Sequence, residues 1–189
     1  MLFVPVKTLF SFTLQWTIAT FSGFLVSLLF IEIGEKPDLG LLQAMIGGLA
    51  IALAQTIMLT HTSFYVKWVL FTMAGWSAIA VIGVGAIGWI VPTTDLLPTR
   101  MLSEALSGLV GGFVIGFAQW WAIYQSVPLA WRWIFISAFS WAIALPIGAA
   151  IGLIIRSFTQ FFLGEVIGLA IAWLLVAILT GMNAYKLLK

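Results

Sequence analysis

Charged residues divide this chain into long apolar runs. Stretches free of Asp, Glu, Lys, Arg and His cover residues 8–31, 39–60, 68–94, 105–131, 133–155 and 166–185, each at least twenty residues long. A helix of about 20 apolar residues crosses a ~30 Å hydrocarbon core, and lipid offers no partner to a backbone group left unpaired. The runs predict six transmembrane helices near residues 9–31, 41–59, 66–91, 104–124, 131–155 and 160–182. The connections are short. The longest is the proline-bounded VPTTDLLPTR at 91–100, which leaves no room for a soluble domain and makes residues 1–189 a single transmembrane domain.

The few polar positions inside the runs recur. GGLAIALAQTIML at 47–59 returns as GGFVIGFAQWWAI at 111–123. Trp68 is followed by Thr72, Gly75 and Trp76, Trp133 by Ser137, Ser140 and Trp141, and Trp16 by Thr20, Gly23 and Phe24. The pattern W-x3-[TS]-x2-[GS]-[WF] therefore opens helices 1, 3 and 5, while helices 2 and 4 carry the glycine–glutamine phrase. Helix 6 ends in a looser AILTGMNAY. Matches among Ala, Ile and Leu arise by chance in such a sequence; ordered matches of Trp, Gln and paired Gly do not. They predict three tandem two-helix hairpins, at about 9–59, 66–124 and 131–182,. A two-span unit returns the chain to its starting side, so the copies are parallel and a pseudo-threefold axis runs along the membrane normal.

Spacing assigns the repeated residues a role. Trp, Thr or Ser, Gly or Ser, and the second aromatic share one helical stripe, as do Gly48, Ala52 and Gln55, or Gly112, Gly116 and Gln119,. Gly108, Gly112 and Gly116 form a ladder of small residues, and Gly148/Gly152 and Gly164/Gly168 form shorter ones. Small residues let helix backbones approach where lipid removes the hydrophobic drive to associate. The stripe is expected to face the interior. Gln55 and Gln119 then lie level with Thr72, Ser137 and the tryptophans Trp68, Trp120 and Trp133, as polar packing contacts or as contacts to a ligand.

Composition sharpens the class. Hydrophobic residues make up 63% of the 189 and charged residues 7%, with a mean hydropathy of +1.18; a soluble domain carries about 25% charged residues because something must face water. The first run is too long for a signal-peptide core of 7–15 residues and no small-x-small cleavage site follows it, so helix 1 is expected to be retained,. There is no cysteine, which excludes disulfides, thiolate metal sites and cysteine nucleophiles,.

With six spans, Lys7, Lys67, Arg132, Lys186 and Lys189 fall on the side of both termini. Lys36, Arg100 and Arg156 fall on the other, together with every acid. Basic residues in short loops favour the cytoplasm, so both termini are expected there. The net charge of +2 is spread thinly beside the membrane and points to no nucleic acid. Trp16, Tyr65, Trp68, Trp120, Trp121, Tyr124, Trp131, Trp133 and Tyr185 crowd the same end, as an interfacial anchoring belt or as a contact for a partner or a flat ring-shaped ligand,.

Candidate chemistry is sparse. Glu32, Glu104, Arg156 and Glu165 fall at helix ends, with Arg156 and Glu165 placed to pair across the last connection. His61 falls in a short loop, where solvation or an interfacial role is expected. No motif assembles a nucleophile, a metal-ligand set or paired carboxylates, so no enzymatic activity and no metal are predicted. Beside a tryptophan wall, the glutamine carbonyls could hold the magnesium of a chlorophyll, or a carotenoid or quinone head group. In size and hydropathy the chain is similar to the substrate-binding subunits of energy-coupling-factor vitamin transporters. A carrier would need a polar cavity between helices, for which Pro146 and GVGAIG at 83–88 are candidate points of bent or unwound backbone,.

The phrase G-x3-G-x2-Q-W at 112–120, followed by W-x7-W at 133–141, resembles a pattern in uncharacterised small polytopic membrane proteins, chiefly cyanobacterial. The other copy departs from it, with Gln55 followed by Thr56. The resemblance implies a thylakoid or plasma/inner membrane and a place beside a photosynthetic or respiratory complex. The function expected is that of a non-enzymatic accessory or assembly subunit, whose partners are membrane lipid and other integral membrane proteins. The alternatives are a small-molecule binding or transport subunit and a pigment- or quinone-binding protein.

Overall fold

A computed structural model describes residues 6–35, 39–83 and 87–188. It is all-helical: α1 (Val6–Ser27), α2 (Leu41–Thr56), α3 (Tyr65–Ile82), α4 (Leu97–Ile123), α5 (Arg132–Thr159) and α6 (Leu163–Leu188). Among the described residues there is no strand, only an isolated parallel bridge between Gly34 and Ile90. Helices α1, α3, α4, α5 and α6 are long and apolar enough to cross a membrane. Their outward side chains suit lipid and not water: Phe10 is 69% exposed, Val81 73% and Phe158 85%.

Two of the expected spans are shorter in the structure. Helix α2 has 16 residues, about 24 Å at 1.5 Å per residue, short of a ~30 Å core. Beyond Thr56 the chain tightens into successive turns, with Leu59 N–H donating to the Thr56 carbonyl and Thr62 N–H to that of Leu59, both at 2.9 Å. Helix α3, expected to reach residue 91, stops at Ile82. Gly83 caps it in the left-handed region at φ 72°, a conformation glycine adopts without a Cβ penalty. Of the expected unwound stretch, 84–86 lie outside the described residues, while 87–91 turn back into the bundle. There Ile87, Trp89 and Val91 are all buried. The Trp89 indole donates to Ser27 Oγ at 2.8 Å, the Trp173 indole to the Gly88 carbonyl at 2.7 Å, and Val91 N–H to the Gly34 carbonyl at 3.0 Å. The large indole of Trp89 finds a packed, hydrogen-bonded site inside the ring that a continued helix would not have offered it.

Helices neighbouring in sequence are neighbours in space, and α6 closes back on α1; among the described residues no other helix pair brings its backbones together. Every adjacent pair is antiparallel. Gln55 near the end of α2 meets Thr20 of α1, Gln119 of α4 meets Thr72 of α3, and Trp16 of α1 meets Thr180 of α6. The result is a closed ring whose helical termini share one end.

Glycine sets the closest approaches. A methyl group at Gly112 would stand 2.8 Å from the Ser137 carbonyl oxygen, and one at Gly116 would stand 2.7 Å from Ser137 Cβ. Gly108 packs against the backbone of Trp141, and Gly48 lets α2 lie against Met73 and Trp76. Gly148 and Gly168 face one another so closely that a side chain on either would run into the other's carbonyl oxygen. Gly152 leaves room beside α6 for the Glu165 carboxylate. Pro146 lies inside α5 and is buried without ending the helix.

Candidate functional site

The ring interior is filled by aromatic side chains in two tiers. Trp16, Trp68 and Trp133, at 0%, 0% and 1% exposure, form a triangle with ring centres 6.1, 6.2 and 5.5 Å apart, every pair edge-to-face. Deeper in, Trp76, Trp141 and Trp173 pack at 4.9–5.7 Å with Phe24 and Trp89 against them. Edge-to-face and offset aromatic pairs each add about 0.5–1.5 kcal/mol beyond area burial.

A polar layer lies between the tiers. Trp68 Nε1 donates to Gln55 Oε1 at 3.0 Å, and Gln55 Nε2 donates to Thr20 Oγ1 at 3.1 Å. Trp133 Nε1 donates to Gln119 Oε1 at 2.8 Å, and Gln119 Nε2 to Thr72 Oγ1 at 3.1 Å. Trp16 Nε1 donates to Thr180 Oγ1 at 3.2 Å, and that hydroxyl donates to the Val176 carbonyl at 2.7 Å. Each relay joins helices adjacent in the ring through neutral groups, which can bind and orient by hydrogen bonding but offer no general acid or base at neutral pH.

The expected belt therefore divides. Trp16, Trp68 and Trp133 point inward, where their N–H groups find an amide or hydroxyl acceptor. Tyr65, Trp121, Tyr124 and Trp131 stay on the outer surface at 45–51% exposure, with Trp120 half-buried among them. On α4, Phe113 and Phe117 stack at 6.4 Å, and Phe117 continues to Trp121 at 5.9 Å and Trp120 at 5.3 Å. His61 lies exposed in the turn after α2.

At the opposite end stands an ionic network that sequence reasoning only partly reached. Arg100 and Glu165, 0% and 1% exposed, form a direct ion pair. Arg156 lies 3.5 Å from Glu165 and 2.6 Å from Glu35 at the surface. The Arg156–Glu165 proximity was expected from spacing. The sequence places Arg100 in the connection, yet α4 begins at Leu97 and holds it in the first turn. The signal was Pro98, because proline favours the first positions of a helix,. Among the described residues no group of His, Asp and Glu side chains converges as a metal site.

Exchanging Gln119 for leucine leaves the indole of Trp133 and the hydroxyl of Thr72 without their partner. Thermal unfolding in detergent, followed by tryptophan fluorescence, should show a loss of about 1–3 kcal/mol. A change below ~0.5 kcal/mol would mean that the relay contributes little.

Comparison of the chain with protein-family models, with curated proteins and with solved structures finds no match.

Proposed function

We propose that this chain is a non-enzymatic accessory or assembly subunit of a larger membrane complex, recognised by partners through its outer surface. One observation carries the reading: the ring is filled by its own tryptophans, and the cavity between the two tiers measures only about 30 Å³. A solute path through the bundle would need far more room, since small-molecule sites occupy about 300–1,000 Å³. Recognition is then left to the lipid-facing helices and the short connections. Both termini sit on the cytoplasmic side in this reading, following the basic residues near them.

We further infer that the ring consists of three copies of one hairpin about a pseudo-threefold axis. Supporting this are the tryptophan triangle and the two matching Trp–Gln–Thr relays, with Thr180 standing where the glutamine would be in the third unit. The second aromatic of each motif, Phe24, Trp76 or Trp141, belongs to the inner tier.

The test is the native mass of the tagged protein, extracted from its own membranes in mild detergent, with an absorbance spectrum of the same peak. The resemblance makes thylakoid or plasma/inner membranes, and their photosynthetic or respiratory complexes, the first place to look. A heavy, reproducible particle containing other membrane proteins is expected. A colourless, partner-free monomer near 20.6 kDa would overturn the proposal and favour solute binding.

A second reading, pigment or quinone binding, is favoured by the exposed aromatic ladder of α4. A chlorophyll, carotenoid or quinone would lie on that outer face and not on Gln55 or Gln119, whose carbonyls already accept indole N–H groups. Visible absorbance that survives Gln119→Leu and is lost on Phe117→Ala/Trp121→Ala would support it.

A further inference from the structure

We propose that the cavity between the tryptophan tiers is a binding site for buried water, and that this water completes the hydrogen bonding of the ring interior. The cavity measures about 30 Å³, room for about two water molecules at ~10–15 Å³ each. Every residue that lines it is at least nine-tenths buried.

The donor inventory carries the inference. Each glutamine amide has two N–H donors. Gln55 and Gln119 each use one, on Thr20 and Thr72, and the second on each has no protein acceptor. The indoles of Trp76 and Trp141 border the cavity, 2% and 3% exposed, and neither N–H is hydrogen-bonded by any protein group. The Ser137 hydroxyl is likewise without a protein partner, and that of Thr20 accepts from Gln55 but donates to nothing. Thr180, by contrast, is fully engaged by Trp16 and the Val176 carbonyl.

A buried donor without an acceptor costs about 1–3 kcal/mol, and here the residues that carry such amide, indole and hydroxyl donors line one small space. Water suits it because one molecule accepts two hydrogen bonds and donates two. The Ser137 and Thr20 oxygens and the free lone pairs of the glutamine carbonyls supply the acceptors. A halide would also accept these donors, but no cation lines the cavity, and an unpaired buried charge carries a far larger desolvation penalty than water. An apolar occupant would leave every donor unsatisfied.

The experiment is water-to-amide magnetisation transfer in the full-length protein, ¹⁵N-labelled at tryptophan, in detergent micelles. Trp76→Phe and Trp141→Phe assign the two indole signals by deletion. Cross-peaks to a long-lived water are expected at the Trp76 or Trp141 indoles and not at those of Trp68 and Trp133, which are bonded to glutamine carbonyls. Absence of such cross-peaks at both indoles would overturn the proposal. Should either variant fail to fold, a high-resolution density map of the wild-type chain decides: an ordered peak within hydrogen-bond reach of Gln119 Nε2 is expected, and featureless density there would refute it. Titration with bromide supplies a further check. Saturable quenching of tryptophan fluorescence, with loss of the water cross-peaks, would make an anion the occupant and overturn the assignment to water.

Discussion

Arg100→Leu is expected to lower folding stability by about 3–5 kcal/mol, the usual penalty for breaking a buried ion pair from one side. Arg100 is fully buried and Glu165 is 1% exposed, so the carboxylate left behind has no water to turn to. Arg156 remains 3.5 Å away, too long and too exposed to replace the direct pair. Arg100 also reaches the Thr94 carbonyl at 3.4 Å, so its loss loosens the connection leading into α4. The measurement is denaturant or thermal unfolding in detergent, read by tryptophan fluorescence. Two controls separate burial from mere contact. Arg100→Leu/Glu165→Leu should recover most of the loss, because a buried pair replaced by apolar side chains is often neutral. Arg156→Ala, which breaks a pair 36% and 41% exposed, should change stability by no more than about 1 kcal/mol. A single Arg100→Leu variant as stable as wild type would show that the pair is solvated and not buried.

The second large effect belongs to the α5–α6 seam. Gly168→Val places a branched side chain against the Gly148 carbonyl oxygen and the backbone of Gly152, whose Cα would lie 2.7 Å from the new Cβ. Flexible side chains can yield to such a contact; two helix backbones locked against each other cannot. Overpacking typically costs 1–3 kcal/mol. With backbone on both sides the expected loss is about 3 kcal/mol or more, enough to separate α6 from α5 and open the ring that α6 closes against α1. Size-exclusion profile and melting temperature both report it. Gly40→Ala is the control: it lies exposed at the start of α2 with φ −64°, where a methyl meets only Gln43 Oε1 at 3.5 Å. A Gly168→Val protein that stays compact and melts normally would show that the seam is looser than the structure has it.

The difference between these sites and those readable beforehand is physical. Gln55 and Gln119 stood out in the sequence because an amide inside an apolar run must find a partner, and helical spacing put each on the stripe with glycine. The indoles of Trp68 and Trp133 were natural partners, one turn region away in sequence. Arg100 did not stand out, because a cation beside two prolines reads equally well as a loop residue; only the fold brings it, fully buried, to Glu165 of α6. Trp89 reads as the tail of a helix, since 68–94 carries no charge. Its inward turn depends on Ser27 and Trp173, distant in sequence, and on glycines whose freedom permits the reversal without specifying it. The belt divides for a related reason: Trp16, Trp68 and Trp133 turn inward while Tyr65, Trp121, Tyr124 and Trp131 stay outside, because tryptophan serves both as a headgroup anchor and as a buried donor, and which it does depends on whether an acceptor waits inside.

What the sequence alone determined was the solvent, the helical class and the approximate spans, because charge spacing and hydropathy act locally and a bilayer leaves the backbone few alternatives. It also carried the repeated motif, since polar residues in apolar helices are too costly to be placed idly. The tertiary structure decided which faces turn inward, where α2 and α3 stop, and that the ring closes on a filled and partly polar core. Lipid and protein interior are almost equally apolar, so hydrophobicity could not choose between them. That choice fell to glycine contacts and to hydrogen bonds between residues far apart in the chain.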